Sequence, residues 1–482
     1  MARVQHGTKT ATRVRAAVLA ASLVSQTACS AVGSVTNTFF GGGTPAGEAK
    51  RLTGFIGGVV ADEPRAALAG RDVLALGGSA ADAAVVVAFM LAVTLPSRAG
   101  LGGGGACVAY DPRREGPGQG APEAVMFTPV PGTGSGGDRP AAVPMLARGM
   151  FALHARYGTQ PFESLVTSAE QLARFGAPPS RALLRDLAVV QGPLAADPNA
   201  RGIFFPNGAA LTEAGTLQQA DLGATLAQLR TAGVGDLYQG ALARRFQDAA
   251  RVAGGNLTGD DLRGALPRIV APLVVRAGLD SVAFTPPPAD GGLAAAAALQ
   301  VLEGRPGDVA GAQARALGTV AAWRLTGGDP AAVLAAGGSG SVPALPASTG
   351  FVVVDRAGRS VACALTMNNL FGTGRVAPGT GMVLAASPRA ETPPLLAAGI
   401  VWNVNTRQFR AAATGTGQEG AALALAASLE SALHGQAASL PVQVPEPGRA
   451  NFISCARYLP GHEDQCSWTN DPRGSGLAVG SN

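Results

Sequence analysis

The stretch PALPASTGFVVVDRAGRSVACALTMNN runs from Pro343 to Asn369. Its first residues are small or proline, and this loose segment ends at Ala347. A hydroxyl pair, Ser348-Thr349, then leads into the apolar run Gly350 to Val354, and a second apolar run spans Ser360 to Leu365. Two strands with a turn at Asp355-Arg356-Ala357-Gly358 account for the pattern, since Gly358 tolerates the positive φ that such turns need. Both runs are apolar on both faces. That requires a sheet covered on each side, and with helical segments elsewhere in the chain it predicts an αββα sandwich: an α/β (α+β) fold of two stacked sheets covered by helices.

The register of this hairpin decides what Ser348 faces. A loop from Arg356 to Gly358 sets Asp355 opposite Arg359, and counting back along each strand sets Ser348 opposite Thr366. Such cross-strand neighbours lie roughly 4.5–5.5 Å apart at Cβ. Asn368 falls on the same face if the strand continues. A hydroxyl needs a base to act as a nucleophile at neutral pH. A chain cut before Ser348 would supply one, because a free α-amine has a pKa of about 7.7–8.0 and sits on the nucleophile itself. The plainer reading is that Ser and Thr are simply common in turns. The four histidines, His6, His154, His434 and His462, are scattered, and none has the context of a general base or a metal ligand. No metal or other cofactor is expected.

The chain has 482 residues, 47% of them hydrophobic and 14% charged, which suits a large core and excludes a disordered protein. Aromatics are few, so Ala, Val and Leu must pack closely. The net charge is +5, but Arg3, Lys9, Arg13 and Arg15 supply four of those charges within a leader free of acids, and +1 remains without them. Charge therefore gives no support to a nucleic-acid partner. Residues 1–29 read as a secretion signal, with basic residues before the short apolar run Ala16 to Val24. Cys29 stands where a bacterial lipoprotein carries its lipid, although Gln26 is an unusual residue at three positions before it. Ordinary cleavage near Ser30 or Ala31 is the rival. Either way the expected location is the periplasm or cell envelope, with the membrane reached only through a lipid on Cys29. Residues 30–50 read as a tether. Cys455 and Cys466 flank a polar loop and suggest a disulfide, while Cys107 and Cys363 read as small buried side chains.

Helical spacing runs from Arg65 to Leu76 and from Ala80 to Val93, with Ser79 capping the second helix and Asp82 in its first turn. The run Gly102-Gly103-Gly104-Gly105 then leads into a strand. Four glycines allow either a tight crossing of backbones or the presentation of N–H groups to a ligand. Residues 141–265 are mostly helical, residues 267–284 form one or two strands, and an Ala-rich helix follows to Leu302.

With these segments in view the chain resembles the γ-glutamyltransferase family of N-terminal nucleophile hydrolases, over most of residues 57–482. The resemblance lies in GGSAADAAVVVAFMLAVTLPSRAGLGGGGACVAYD, VPMLARGMFALHARYG, GGNLTGDDL, TPPPADGG, FGTGRVAPGTGMVL and DPRGSGLAVG. It implies a proenzyme that cleaves itself before a Thr, which becomes the nucleophile of a small subunit. That Thr lies seven residues before an Asp, a spacing that falls on Ser348 here. The family's supporting Thr and Asn fall on Thr366 and Asn368. Thr349 is the second hydroxyl, and Gly350 replaces a His. The implied organisation is a large-subunit-like region, 51–347, and a small-subunit-like region, 348–482, which stay associated after cleavage and form one domain. The implied substrate is a small molecule such as glutathione or another γ-glutamyl compound.

The chain departs from the family at the substrate clamp. Thr128, in Met126-Phe127-Thr128-Pro129, stands where the family has the Arg that holds the substrate α-carboxylate. Ala385 to Ala390 replace a segment with the Asp that gathers the α-amino group. Pro394-Leu395 replace paired serines, and Gln418-Glu419 fall where Gly-Gly forms the oxyanion hole. Arg98, Arg375 and Arg389 are candidate replacements for the lost Arg. Three readings follow: a self-processing enzyme that cleaves γ-glutamyl or related amide bonds through Ser348, an exported inactive relative that acts as a binding or structural protein of the envelope, and a chain that cuts itself but turns over nothing else.

Overall fold

The computed structural model describes residues 1–2, 51–115, 119–435 and 444–481. The expected tether and nearly all of the expected leader, Cys29 included, lie outside the described residues. The chain divides into Met1–Arg51 and Leu52–Asn482, and the fold is that of the second unit.

Thirteen strands build two sheets. They are β1 (Gly57–Ala61), β2 (Gly104–Tyr110), β3 (Glu123–Phe127), β4 (Arg268–Val270), β5 (Leu273–Ala277), β6 (Asp280–Phe284), β7 (Thr349–Asp355), β8 (Ser360–Thr366), β9 (Ala397–Asn403), β10 (Gln408–Thr416), β11 (Arg449–Leu459), β12 (Cys466–Asn470) and β13 (Leu477–Ser481). The first sheet runs β13-β1-β7-β8-β2-β3-β4, and the second β12-β11-β10-β9-β6-β5. Both contain strands from before and after Ser348, so one body is woven from the two regions. Residues 267–284, read as one or two strands, contain three: β4 joins the first sheet, and β5 and β6 the second.

Side chains alternate along each strand and sort into three layers. Phe351, Val353, Cys363 and Leu365 face helices on the outside of the first sheet. Val352, Val354, Ala362, Ala398, Ile400 and Ala412 meet between the sheets. Ala397, Val401, Ala411 and Ala413 face helices outside the second sheet. Helix α1 spans Pro64–Ala75 and α2 spans Ala80–Thr94. Ser79 and Asp82 form a capping box on α2, and all 15 of its residues are buried. Outside the second sheet lie α3 (Gly291–Gly304) and α4 (Ala421–Leu433), whose Ala294 to Ala298 and Ala421 to Ala426 pack at nearly zero exposure. Small side chains let these layers approach closely, which is how a core poor in aromatics is filled. Among the described residues no helix is long and apolar enough to cross a membrane.

The β7–β8 pairing matches the register read from sequence, with Thr349 opposite Leu365 and Ser360 opposite Val354. Asp355 fixes it. Its Oδ1 accepts from the N–H groups of Ala357 (2.9 Å) and Arg359 (3.2 Å). Its Oδ2 accepts from Ala80 N at the start of α2 (3.0 Å) and from Arg359 Nε (2.6 Å). Burial pushes this carboxyl's pKa up, and the Arg359 charge and the N–H donors oppose the shift. Removing one partner of a buried charge pair costs about 3–5 kcal/mol, and Arg359 retains some exposure. Asp355→Ala is therefore expected to lower stability by about 3 kcal/mol, measured as a shift of the urea unfolding midpoint with little change in slope.

Candidate active site

The strand register extends the Ser348 pair into a row. Thr366 pairs with Gly104 in β2, and Gly105 pairs with Phe127, which sets Gly104 against Thr128. Ser348, Thr366, Gly104 and Thr128 thus form one line across four strands, about 14 Å long at the usual strand spacing. All four belong to the face between the sheets, because Val352, Ala364, Ala106 and Met126, an even number of residues further along the same strands, pack there.

Ser348 is 1% exposed. Thr366 Oγ1 donates to the carbonyl of Ala347 at 3.4 Å and accepts from Asn368 N at 2.8 Å. Its hydroxyl is therefore engaged with the carbonyl just before Ser348. The strand does not continue to Asn368, as the sequence reading had allowed. It ends at Thr366, and Asn368 turns away at φ 61°, a left-handed conformation that Asn tolerates better than most residues. Its Nδ2 donates to Ala386 O at 2.9 Å.

Thr349 has a partner that sequence reasoning missed. Its Oγ1 donates to Asp62 Oδ2 at 2.9 Å, and Gly350 N donates to the same oxygen at 3.0 Å. Asn451 Nδ2 bridges Asp62 Oδ1 (2.9 Å) and Gly350 O (2.8 Å). Asp62, just past β1, thus ties the two residues that follow Ser348 to β11. No motif marks it in the sequence, since the contact spans 287 positions. Arg98, named from the sequence, also has a partner that sequence reasoning missed. It was a candidate clamp, but its guanidinium holds Asp186 through Nε at 2.7 Å and Nη2 at 2.5 Å, and Nη1 points at Ser348 O at 3.5 Å. Burial alone would lower the Arg98 pKa, but Asp186, with help from Asp62, holds it raised. Arg375 instead pairs with Asp138 at 3.3 Å.

Two cavities flank this centre. One, of about 350 Å³, is lined by Ala347, Asp62, Arg98, Gln418, Arg449 and Arg473 among others. The other, of about 340 Å³, is lined by Thr128 and Asn368 with Met126, Pro388 and Leu396. Neither includes Arg375 or Arg389. Gln418 follows Gly417 at the entry to α4 and adopts φ 52°. A positive φ in a non-glycine residue carries strain, and the first N–H groups of a helical run have no partner within it. Of this pair Gln418 lines the first cavity, and Glu419 O accepts from Gln313 Nε2 at 2.8 Å.

The four glycines serve close packing of backbones. A Cβ on Gly102, Gly103, Gly104 or Gly105 would lie 2.2 or 2.3 Å from a carbonyl oxygen of Val383, Thr366, Phe127 or Ala364 respectively. Cys455 and Cys466 form the expected disulfide. Cys107 and Cys363 correct the sequence reading: they face each other across β2 and β8 and are joined as a second disulfide. They lie 256 positions apart, so only the strand order brings them together. Among the described residues one group could offer several metal-ligand atoms, Glu303, Glu430 and His434 at the ends of α3 and α4, and it lines neither cavity.

Two stacked sheets between helical layers, with a hydroxyl residue at the head of a central strand, place the chain in the N-terminal nucleophile hydrolase fold. A family model described as gamma-glutamyltranspeptidase matches residues 66–325, more than half of the chain. The chain belongs to that family. The model match stops short of Ser348. A glutathione hydrolase proenzyme of Bacillus subtilis is 32% identical over 267 residues, which are 51% of this chain and 44% of that protein. The chain thus spans less than half the length of that curated relative. The crystal structure of a cephalosporin acylase from Bacillus halodurans superposes with a TM-score of 0.71 at 18% identity, over 91% of this chain and 98% of the other. A gamma-glutamyltranspeptidase of Helicobacter pylori gives 0.51 at 23% identity, over 56% and 86%.

Asp62 provides a test of this geometry. Asp62→Ala leaves the buried Gly350 N–H and the Asn451 amide short of an acceptor, at about 1–3 kcal/mol for each unsatisfied group. The variant is expected to lose about 2 kcal/mol of stability in urea titrations. Asp62→Asn, which keeps an oxygen acceptor, is expected to recover at least half of that loss.

Proposed function

We propose that this chain is an exported, self-processing amidase of the N-terminal nucleophile type, which cleaves γ-glutamyl or related amide bonds through Ser348. The observation that carries the reading is the contact between Thr366 Oγ1 and the Ala347 carbonyl, with Ser348 adjoining that carbonyl in sequence. A donor on the carbonyl oxygen polarises it toward attack.

In the first reaction Ser348 Oγ adds to the Ala347 carbonyl carbon and gives up its proton. The C–N bond to Ser348 breaks and the nitrogen takes a proton, which leaves an ester between the Ala347 acyl group and Ser348 Oγ. Water hydrolyses the ester, so Ala347 ends as a carboxylate and Ser348 as a free α-amine. In the second reaction that amine accepts the Ser348 hydroxyl proton. The oxygen attacks an amide carbonyl, the leaving amine departs protonated, and water or an acceptor amine releases the acyl group. In this reading Thr366 and the N–H groups of Gln418 and Glu419 hold the developing oxyanion, and Asn368 contacts the acyl donor. Export is supported by two disulfides, which persist in oxidising compartments.

Cleavage has a specific electrophoretic signature. Cys107 precedes the cut and Cys363 follows it, so their disulfide ties the two fragments together. Reducing gels are expected to show two fragments, the smaller beginning at Ser348 by N-terminal sequencing. Non-reducing gels are expected to show one band at the size of the uncut chain. Ser348→Ala is expected to remain whole under both conditions and to lose at least 100-fold in amide hydrolysis, on the order of one removed catalytic donor or more. A new terminus at Thr349 would shift the nucleophile by one residue and break the register argument, and wild-type chain that stays whole on reducing gels would leave the inactive-relative reading in its place.

A further inference from the structure

The cavity lined by Thr128 and Asn368 has walls of an unexpected chemistry for an amino-acid site. Six of its fifteen lining residues are proline: Pro129, Pro131, Pro288, Pro388, Pro393 and Pro394. Proline has no backbone N–H, so those walls cannot donate to a carboxylate. None of the fifteen is Asp or Glu, so nothing there balances an ammonium group. The charged side chain present, Arg268, is exposed: it would repel an ammonium group, and its pairing with a carboxylate would be screened by water. The Asn368 amide N–H is already given to Ala386 O. Most of the remaining surface is hydrocarbon, from Met126, Phe127, Met145, Leu266 and Leu396. Burying an ammonium or carboxylate without a partner is strongly unfavourable, while a hydrocarbon group gains from leaving water.

The cavity is also linked to the Ser348 end of the sheet by a chain of contacts. Asn368 lines it, and the Asn368 N–H meets the Thr366 hydroxyl that in turn meets the Ala347 carbonyl. Thr128 ends the row that begins at Ser348. No residue from 339 to 347 lines it, so it stands open in the uncut chain as well. Its volume, about 340 Å³, is within the range of about 300–1,000 Å³ usual for small-molecule sites. Proline-rich walls keep it preformed.

Resting on the amidase reading above, we infer that the acyl group this enzyme takes is an uncharged hydrocarbon chain or ring, bound in the Thr128–Asn368 cavity, and not an α-amino acid. The bond broken is still the amide C–N bond: the acyl carbon passes to Ser348 Oγ and then to water, and the nitrogen leaves as a protonated amine.

The test compares the p-nitroanilides of phenylacetic, hexanoic and γ-glutamic acids on processed wild-type protein, so that the leaving group is constant. Phenylacetyl and hexanoyl anilides are expected to give kcat/KM at least tenfold above the γ-glutamyl anilide. Thr128→Arg, which puts a cation into the cavity, is expected to reduce that ratio at least tenfold, and Thr128→Val to preserve it. A γ-glutamyl anilide cleaved as fast as the other two, with loss in Ser348→Ala, would overturn the inference and leave the amidase reading intact. If no anilide is cleaved, the amidase reading fails and binding decides the cavity's chemistry. Titration calorimetry on Ser348→Ala protein is then expected to show phenylacetate binding at least tenfold tighter than L-glutamate, an advantage lost in the Thr128→Arg double variant. Equal or tighter binding of glutamate would overturn the inference.

Discussion

The antiparallel pairing of Thr349–Asp355 with Ser360–Thr366 is the constraint on which the other features depend. Both strands are buried on both faces, so a slip of one residue would move every side chain to the wrong layer. Val352 and Val354 would leave the space between the sheets, and Phe351 and Val353 would leave the helical layer. Ser348 would leave the row that contains Thr366 and Thr128. The position of a reactive hydroxyl is thereby fixed by hydrophobic burial several residues away. Asp355 adds a local lock at the turn and links it to the first turn of α2.

This coupling explains why the hairpin was legible in the sequence. Its register follows from local quantities: a turn containing Gly358, two apolar runs and their lengths. The same holds for α2, where Ser79 and Asp82 announce the cap, and for the covered sheets. The sequence was much less informative wherever contacts join distant segments. Asp62 binds Thr349 and Asn451 across 287 and 389 positions. Cys107 meets Cys363 only because β2 lies beside β8. A pair of cysteines in two apolar runs reads as two core residues until the strand order is known. Asn368 misled for another reason, since a strand end depends on where pairing stops, and β2 offers no partner beyond Gly104.

The two cavities show how differently a site can depend on backbone and side chain. What self-cleavage would need is largely a matter of backbone: a register, a strand end, a helix start that exposes N–H groups. The glycines at 102–105 serve that end, because each lets a neighbouring carbonyl approach closer than any side chain would permit. Substrate choice depends instead on side chains at the rim, which can change without disturbing the layers beneath. Thr128 is half-buried at the end of β3, and Pro393 and Pro394 precede β9. Substitution at such places leaves the core untouched.

That separation bears on how far fold can speak for substrate in this family. The strand that follows Ser348 and the strand that ends at Thr366 are held by burial on both faces, so the geometry of that end rests on the sandwich itself. The wall that would touch an acyl group is held by nothing comparable. A charged clamp needs a matched set of partners, because one member left alone is a buried unpaired charge. With threonine and not a cation at position 128, a nearby carboxylate would be a liability. The cavity accordingly contains no Asp or Glu among its lining residues, and its charged residue, Arg268, is exposed. A wall without acidic groups is stable when most of it is apolar, and proline contributes to that with neither a charge nor a backbone donor to leave unpaired.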